Sequence, residues 1–201
     1  ELKLISLMLG SGTTANATLH GQSIDVSTGF TPTEGLLQST RCGDIDPLAV
    51  TYLMRKLSLT PSEMEKILNN ESGWLGVSGL SSDFAVVEEA ASNGHKQAQI
   101  ALDVLIHRIK KYIGAYAAIL EGIDALLFSG GIGEKSALLR QKICTGLEFL
   151  GLHLDHKANY NLEEGGIIST PFSQAAIIVI ATDEEKVIAR ETYKICSLQG
   201  R

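Results

Sequence analysis

The sequence predicts an α/β fold in which helices flank a mixed sheet. Three features predict it: an opening series of short strands, several helices with clear start signals, and two fully apolar runs that each lead into a later helix. At 201 residues, with 44% hydrophobic and 20% charged side chains, the chain can bury a core of its own.

Leu2 to Leu9 is a short apolar run rich in β-type residues, and it ends at Gly10-Ser11-Gly12. Thr13 to Leu19 and Ser23 to Ser27 alternate as strands do, with a tight turn at His20-Gly21-Gln22, so the opening reads as a β-meander. Asp46 caps and Pro47 begins a helix through Leu57. Thr60-Pro61-Ser62-Glu63 repeats that signal as a capping box, for a helix ending near Asn69. A glycine-rich loop, Ser72 to Ser81, leads to a short helix from about Ser82 to Ala91. After the Asn93-Gly94 break comes the longest helix, from about His95 to Glu121. Its Ile100, Leu105, Ile109, Ile113, Tyr116 and Leu120 form an apolar stripe, read as core first and subunit interface second.

Ile123 to Phe128 is an apolar strand of the buried kind, followed by Ser129-Gly130-Gly131-Ile132-Gly133-Glu134 and a helix from Ser136 to about Phe149. Ile177 to Ala181 is a second buried strand, and Thr182 or Asp183 caps a final helix through Ile195. Three strands, several helices and two strand–helix units agree with one half of the actin-like, ribonuclease-H-like ATPase architecture.

A net charge of -6 argues against electrostatic binding to nucleic acid or to an anionic membrane. Cys42, Cys144 and Cys196 form no CxxC pair, so neither a disulfide framework nor a zinc site is supported, and a reducing cytoplasm fits. Cys42 as a nucleophile would need an activating base that the sequence does not identify, and it reads better as a small loop residue. None of the histidines has a partner at metal-ligand spacing. No signal peptide and no membrane-spanning run is visible, and the start at Glu1 without an initiator methionine is expected of a fragment, a processed product or a trimmed chain.

Chemistry concentrates in loops. Ligands of open α/β sheets gather at strand termini, which draws attention to Gly10-Ser11-Gly12, to Ser129 to Glu134, and to Thr182-Asp183-Glu184-Glu185. Glycines there let backbone amides approach phosphates, although many such turns need glycine only for positive φ. The segment from Gly29 to Gly35, followed by Thr40-Arg41-Cys42-Gly43-Asp44-Ile45-Asp46-Pro47, sets one arginine and two carboxylates in a glycine- and proline-held loop. An arginine offers a planar, permanently charged fork suited to carboxylate or phosphoryl oxygens. The plainer role for Arg41 is a salt bridge to Asp44 or Asp46.

That segment closely resembles a signature of the acetate kinase family, which includes propionate and butyrate kinases. The resemblance runs along nearly the whole chain, through Ser72 to Gly79 with Ser81-Ser82-Asp83, Arg108 to Ala117, Gly146 to Gly151, and Thr182 to Glu185. It implies the C-terminal nucleotide-binding and dimerisation domain, spanning 1–201, of a reversible enzyme that moves a phosphoryl group from ATP to acetate, giving ADP and acetyl phosphate. The family's N-terminal half, with its first phosphate loop and further catalytic groups, lies outside the chain. By the same resemblance Arg41 stabilises the transferring phosphoryl group and Glu184 is the Mg2+-associated carboxylate, although Glu184 and Glu185 also suit the first turn of a helix. The nucleotide side comprises Met8, Leu9, Gly10, Ser11 and Gly12, then Asp83, Phe84 and Ala85, and finally Gly131, Ile132, Gly133, Glu134 and Lys135. ATP or ADP, a short-chain carboxylate and a second copy of the chain are the implied partners.

Departures from the family pattern fall on ligand-facing positions. Met8 stands where the family has histidine, Ser11 and Asp183 where it has asparagine, Phe84-Ala85 where it has Met-Arg, and Lys135 where it prefers asparagine. They leave open a nucleotide-binding and dimerisation module without turnover; propionate kinase is the other alternative, because in the family much of the carboxylate pocket is built from the missing half.

Overall fold

Two parallel strand pairs at the centre of one sheet set the architecture. The structure is a computed structural model that describes residues 2–199, except the side chains of residues 184, 198 and 199. Strands β1 (Lys3–Leu9), β2 (Thr13–Leu19) and β3 (Gln22–Val26) form the expected antiparallel meander. Its second turn is tighter than expected: His20 and Gly21 both take positive φ, 51° and 79°, as a two-residue hairpin turn requires, so Gln22 already lies in β3.

Strands β4 (Ala125–Ser129), β5 (Gly166–Ile167) and β6 (Ala176–Val179) complete a six-stranded sheet of order β3-β2-β1-β4-β6-β5. β4 pairs in parallel with both β1 and β6, with Leu7 opposite Phe128 and Phe128 opposite Val179. All three therefore end at the same edge. Ile5, Leu7, Leu126, Phe128 and Ile177 are fully buried, which is why the apolar runs read as central strands.

Helices α1 (Pro47–Leu57) and α2 (Pro61–Asn70) begin at the expected caps, and Thr60 with Glu63 forms a complete capping box. The glycine-rich stretch read as a loop instead holds α3 (Gly73–Ser78), because Trp74 is driven into the core and donates its indole N–H to the Ser82 carbonyl at 2.9 Å. α4 (Phe84–Ser92) starts at the Asp83 cap and α5 (Lys96–Ile119) at His95. α5 packs against α3, α4 and the sheet. Its buried stripe contains Leu105, Ile109, Ile113 and Tyr116 as expected, but turns through Ala98, Ala101 and Leu102 and leaves Ile100 exposed.

After β4 the glycine turn winds into α6 (Gly130–Lys135), and Ser136 caps α7 (Ala137–Cys144). The helix expected to reach Phe149 stops at Cys144 because Thr145 turns extended and Gly146 takes a φ of 82°; a 3-10 turn, Glu148–Leu150, follows. Helix α8 (His156–Tyr160) and β5 carried no pattern long enough to announce themselves. The last helix, α9 (Glu184–Gln199), begins where expected, with the Asp183 carboxylate accepting from the Lys186 amide at 2.9 Å.

Candidate functional site

Because β1, β4 and β6 run parallel, their following loops meet. They border an open cavity of about 560 Å³ lined by Met8 near the end of β1 and Gly10 to Gly12 after it, by Gly130 and Gly131 after β4, and by Thr182, Asp183 and Glu185 after β6. Gly130 sits at a φ of 76°, and a Cβ there would lie 2.7 Å from the Leu9 carbonyl oxygen, so only glycine lets this turn pass against β1. A second cavity of about 310 Å³ adjoins it, sharing Gly131. Asp83, Phe84, Ala85 and Glu88 of α4 form one wall, and Ile132, Lys135 and Ser136 form the other. Asp83 has a structural duty as well: its carboxylate accepts from the Ala85 amide at 3.0 Å and caps α4.

Not every residue expected at this site lines one of these two cavities. Leu9 points into the core and Gly133 is buried. The Glu134 carboxylate accepts from the Thr182 amide at 3.0 Å and from its hydroxyl at 2.8 Å, clipping the loop after β6 onto α6. The Glu184 side chain lies outside the described residues.

The arginine-bearing loop is held from several sides. Gly43, at a φ of 68°, passes so close that a Cβ would lie 2.6 Å from the Gly35 carbonyl oxygen. Asp44 accepts from the Gly35 amide and from the Tyr112 hydroxyl, both at 2.9 Å. Arg108 lies 3.7 Å from the same carboxylate and donates to the Asp44 carbonyl at 3.0 Å, so α5 anchors the loop. Burial, and then the bond to Asp44, push the Tyr112 phenol well above its ordinary range. On the other side, the Ser39 amide donates to the Ser11 carbonyl at 3.0 Å and the Thr13 hydroxyl to the Leu37 carbonyl at 2.9 Å. These bonds place Arg41 beside Gly12, a lining residue of the first cavity: a Cβ on Gly12 would lie 3.8 Å from Arg41 Nη1.

The brace to Asp44 or Asp46 does not form. Asp44 is engaged as described, Asp46 caps α1 through the Leu48 amide at 2.8 Å, and among the described residues no carboxylate is within ion-pair reach of Arg41. The Arg41 guanidinium donates instead to Gln38 Oε1 at 3.0 Å.

Arg140 escaped the sequence reading. It is 2% exposed, and burial pushes its pKa down. Its guanidinium donates to the Gly133 and Glu134 carbonyls at 2.9 and 2.7 Å, and to the Asn159 side chain and backbone at 2.8 and 3.0 Å. It thereby takes up the open carbonyls at the end of α6, beneath the wall shared by the two cavities. The signal available was an arginine one helical turn inside a helix that follows a glycine-rich turn. Ser136, bonded to Glu88 across the second cavity, was equally silent.

Among the described residues no group of three or more histidine, cysteine, aspartate or glutamate side chains is arranged to hold a metal ion by itself. Asp183 and Glu185 are nevertheless among the residues that line the first cavity.

The acetokinase family model matches residues 1–190. The acetate kinase of Dictyoglomus turgidum is 53% identical over 195 residues, which are 97% of this chain and 48% of that protein. Among solved structures, the acetate kinase of Porphyromonas gingivalis superposes with a TM-score of 0.92 at 42% identity, covering 97% of this chain and 49% of that one. A propionate kinase from Francisella tularensis gives 0.88 at 38% identity, covering 95% and 49%. The sheet and its flanking helices are thus those of the actin-like ATPase fold. The chain spans about half the length of the curated relatives it matches.

Proposed function

This chain belongs to the acetokinase family, and we propose that it is the C-terminal half of an enzyme that transfers a phosphoryl group reversibly between ATP and acetate. The observation carrying this reading is the convergence of three strand-end loops on one cavity, with a guanidinium, free of any carboxylate partner among the described residues, beside its lining residue Gly12. The glycine-lined first cavity suits phosphates, which backbone amides can approach closely. The second, walled by Phe84, Ala85 and Ile132, suits the flat apolar faces of a nucleobase, and Lys135 adds a positive charge there.

Phosphoryl transfer spreads negative charge over the equatorial oxygens of the moving group, so positioning and electrostatic stabilisation do most of the work. Arg41 would supply both: a rigid fork of donors that no carboxylate among the described residues pairs with. Mg2+ fits the donor set, because a hard cation needs only one or two carboxylates beside phosphate oxygens. Glu184, with Asp183 and Glu185 beside it, would hold it, and when bound it would neutralise phosphate charge. The neighbouring half would supply the rest of the carboxylate pocket.

No helix among the described residues is long and apolar enough to cross a membrane, and a cytoplasmic site of action fits the three free cysteines. We also propose a homodimer. The α5 stripe is used up by the core, and the support comes from α1, which buries no residue and leaves Leu48, Tyr52 and Leu57 exposed. Light scattering of the full-length protein at micromolar concentration should read a dimer; a monomer mass overturns that part.

The activity is tested by hydroxamate trapping of acyl phosphate from the full-length protein with Mg-ATP. Acetate should yield product, and Arg41→Ala should lower the rate by about 10²–10³. No product from acetate, propionate or butyrate removes the kinase reading and leaves a nucleotide-binding module.

A further inference from the structure

Gln38 is a polar side chain where the fold offers almost no water: it is 2% exposed, in a loop whose neighbours Leu36 and Leu37 belong to the core. Burying an amide is unfavourable unless its groups are paired, and both ends of this one are. Nε2 donates to the Pro32 carbonyl at 2.5 Å, and Oε1 accepts from Arg41 Nη1 at 3.0 Å. The amide orientation is forced, since the proline carbonyl can only accept and the guanidinium can only donate. The backbone reinforces it, with the Gln38 amide donating to the Arg41 carbonyl at 3.3 Å and the Trp74 amide donating to the Gln38 carbonyl at 2.9 Å. A Cβ on Gly12 would lie 3.5 Å from Gln38 Oε1, which puts this pair directly beside the loop after β1.

We propose that Gln38 is the positioning residue of Arg41, and that its neutrality is the point. An aspartate or glutamate in this place would aim the guanidinium equally well but would neutralise much of its charge. A neutral acceptor fixes the direction of one N–H and leaves four donors and the whole positive charge for the phosphoryl oxygens. The role rests on the proposed kinase reading, because it acts only through Arg41.

The test uses the full-length protein in four forms: wild type, Gln38→Met, Arg41→Ala, and the double variant. Methionine matches glutamine in length but has no strong acceptor. Loss of one hydrogen bond to a charged group predicts a fall in kcat of about 10- to 100-fold. KM for Mg-ATP and acetate should stay within about threefold, because the group acts on the transition state. On the Arg41→Ala background the same substitution should change kcat by less than about twofold, which a purely structural role would not produce. Gln38→Glu preserves shape and should also lose at least about tenfold in kcat through the ion pair it creates with Arg41. It carries the test if the methionine variant does not fold.

The outcomes separate. Inactive wild type sinks the kinase reading and this inference with it. An active Arg41→Ala variant sinks the assigned role of Arg41. Normal kcat in Gln38→Met and Gln38→Glu, or equal losses with and without Arg41, overturns the positioning role alone.

Discussion

Arg140 offers the sharpest test of how the cavity wall is built. Replacing it with methionine keeps most of the volume and withdraws every donor. The Gly133 carbonyl and both Asn159 oxygens are then left dry, while the Glu134 carbonyl is less enclosed. Three dry acceptors at about 1–3 kcal/mol each sum to about 6 kcal/mol, and releasing a guanidinium from burial offsets part of that, leaving a net loss of about 4 kcal/mol. Domains are stable by only about 5–15 kcal/mol, so this is a large share. At about 3 °C per kcal/mol for a chain of this size, the melting temperature should fall by about 12 °C. Trp74 is the chain's one tryptophan and is 1% exposed, so its fluorescence follows unfolding of the 201-residue chain directly. Arg140→Lys, with a charge but no fork, should lie between the two. A methionine variant melting within about 3 °C of wild type would refute the reasoning, because the α6 carbonyls would then have other partners or no need of them.

Two further expectations concern other parts of the fold. Burial pushes the Cys144 thiol up to about 12, so in a native-state thiol titration it should react only on unfolding, while the exposed Cys196 reacts at once; early labelling of Cys144 would show that α7 opens locally. Glu63, bonded to the Thr60 amide and hydroxyl, is held below its ordinary value of 4.5. A depressed carboxylate contributes stability above its unfolded value and loses it as pH falls through the folded one. The gap in melting temperature between wild type and Glu63→Ala should therefore be open at pH 7 and narrow below about pH 4.5; a gap constant across that range would mean that the carboxylate charge plays no part.

Elements were readable from sequence where local chemistry and tertiary demand agree. The β-meander alternates, β4 is apolar through Phe128 and β6 throughout, and Pro47 and Pro61 sit at the first turns of α1 and α2 beside side chains that cap them. Where the two disagree, the sequence misled. Gly73 and Gly76 suggested a loop, yet the burial of Trp74 and its T-shaped contact with Phe84, at 5.7 Å between ring centroids, impose α3. A continuous helical pattern through Phe149 ignored the left-handed turn at Gly146. The α5 stripe was drawn through Ile100 because isoleucine is large, whereas the helix turns its small alanines to α3 and α4, where the packing is close.

The site divides along the same line. Its loops were readable because a parallel pair of strands must end on one edge, and strand ends with glycines are where ligands can approach. Arg41 stood out as a candidate because a charged fork in a glycine-held loop is unusual and the surrounding segment resembles a family signature. Gln38 and Arg140 were not, and for different reasons. Arg140 acts across space on Asn159, nineteen residues away, through a helix-to-helix contact that no local pattern encodes. Gln38 lies only three residues from Arg41, but that spacing has meaning only once the path between them is known. The path between them is irregular and flanked by Gly35 and Gly43, at φ of 101° and 68°, so neither helical nor strand periodicity says which side chains face each other. It follows that a charged candidate can be picked out by residue type, while the neutral side chain bonded to it emerges only from backbone geometry.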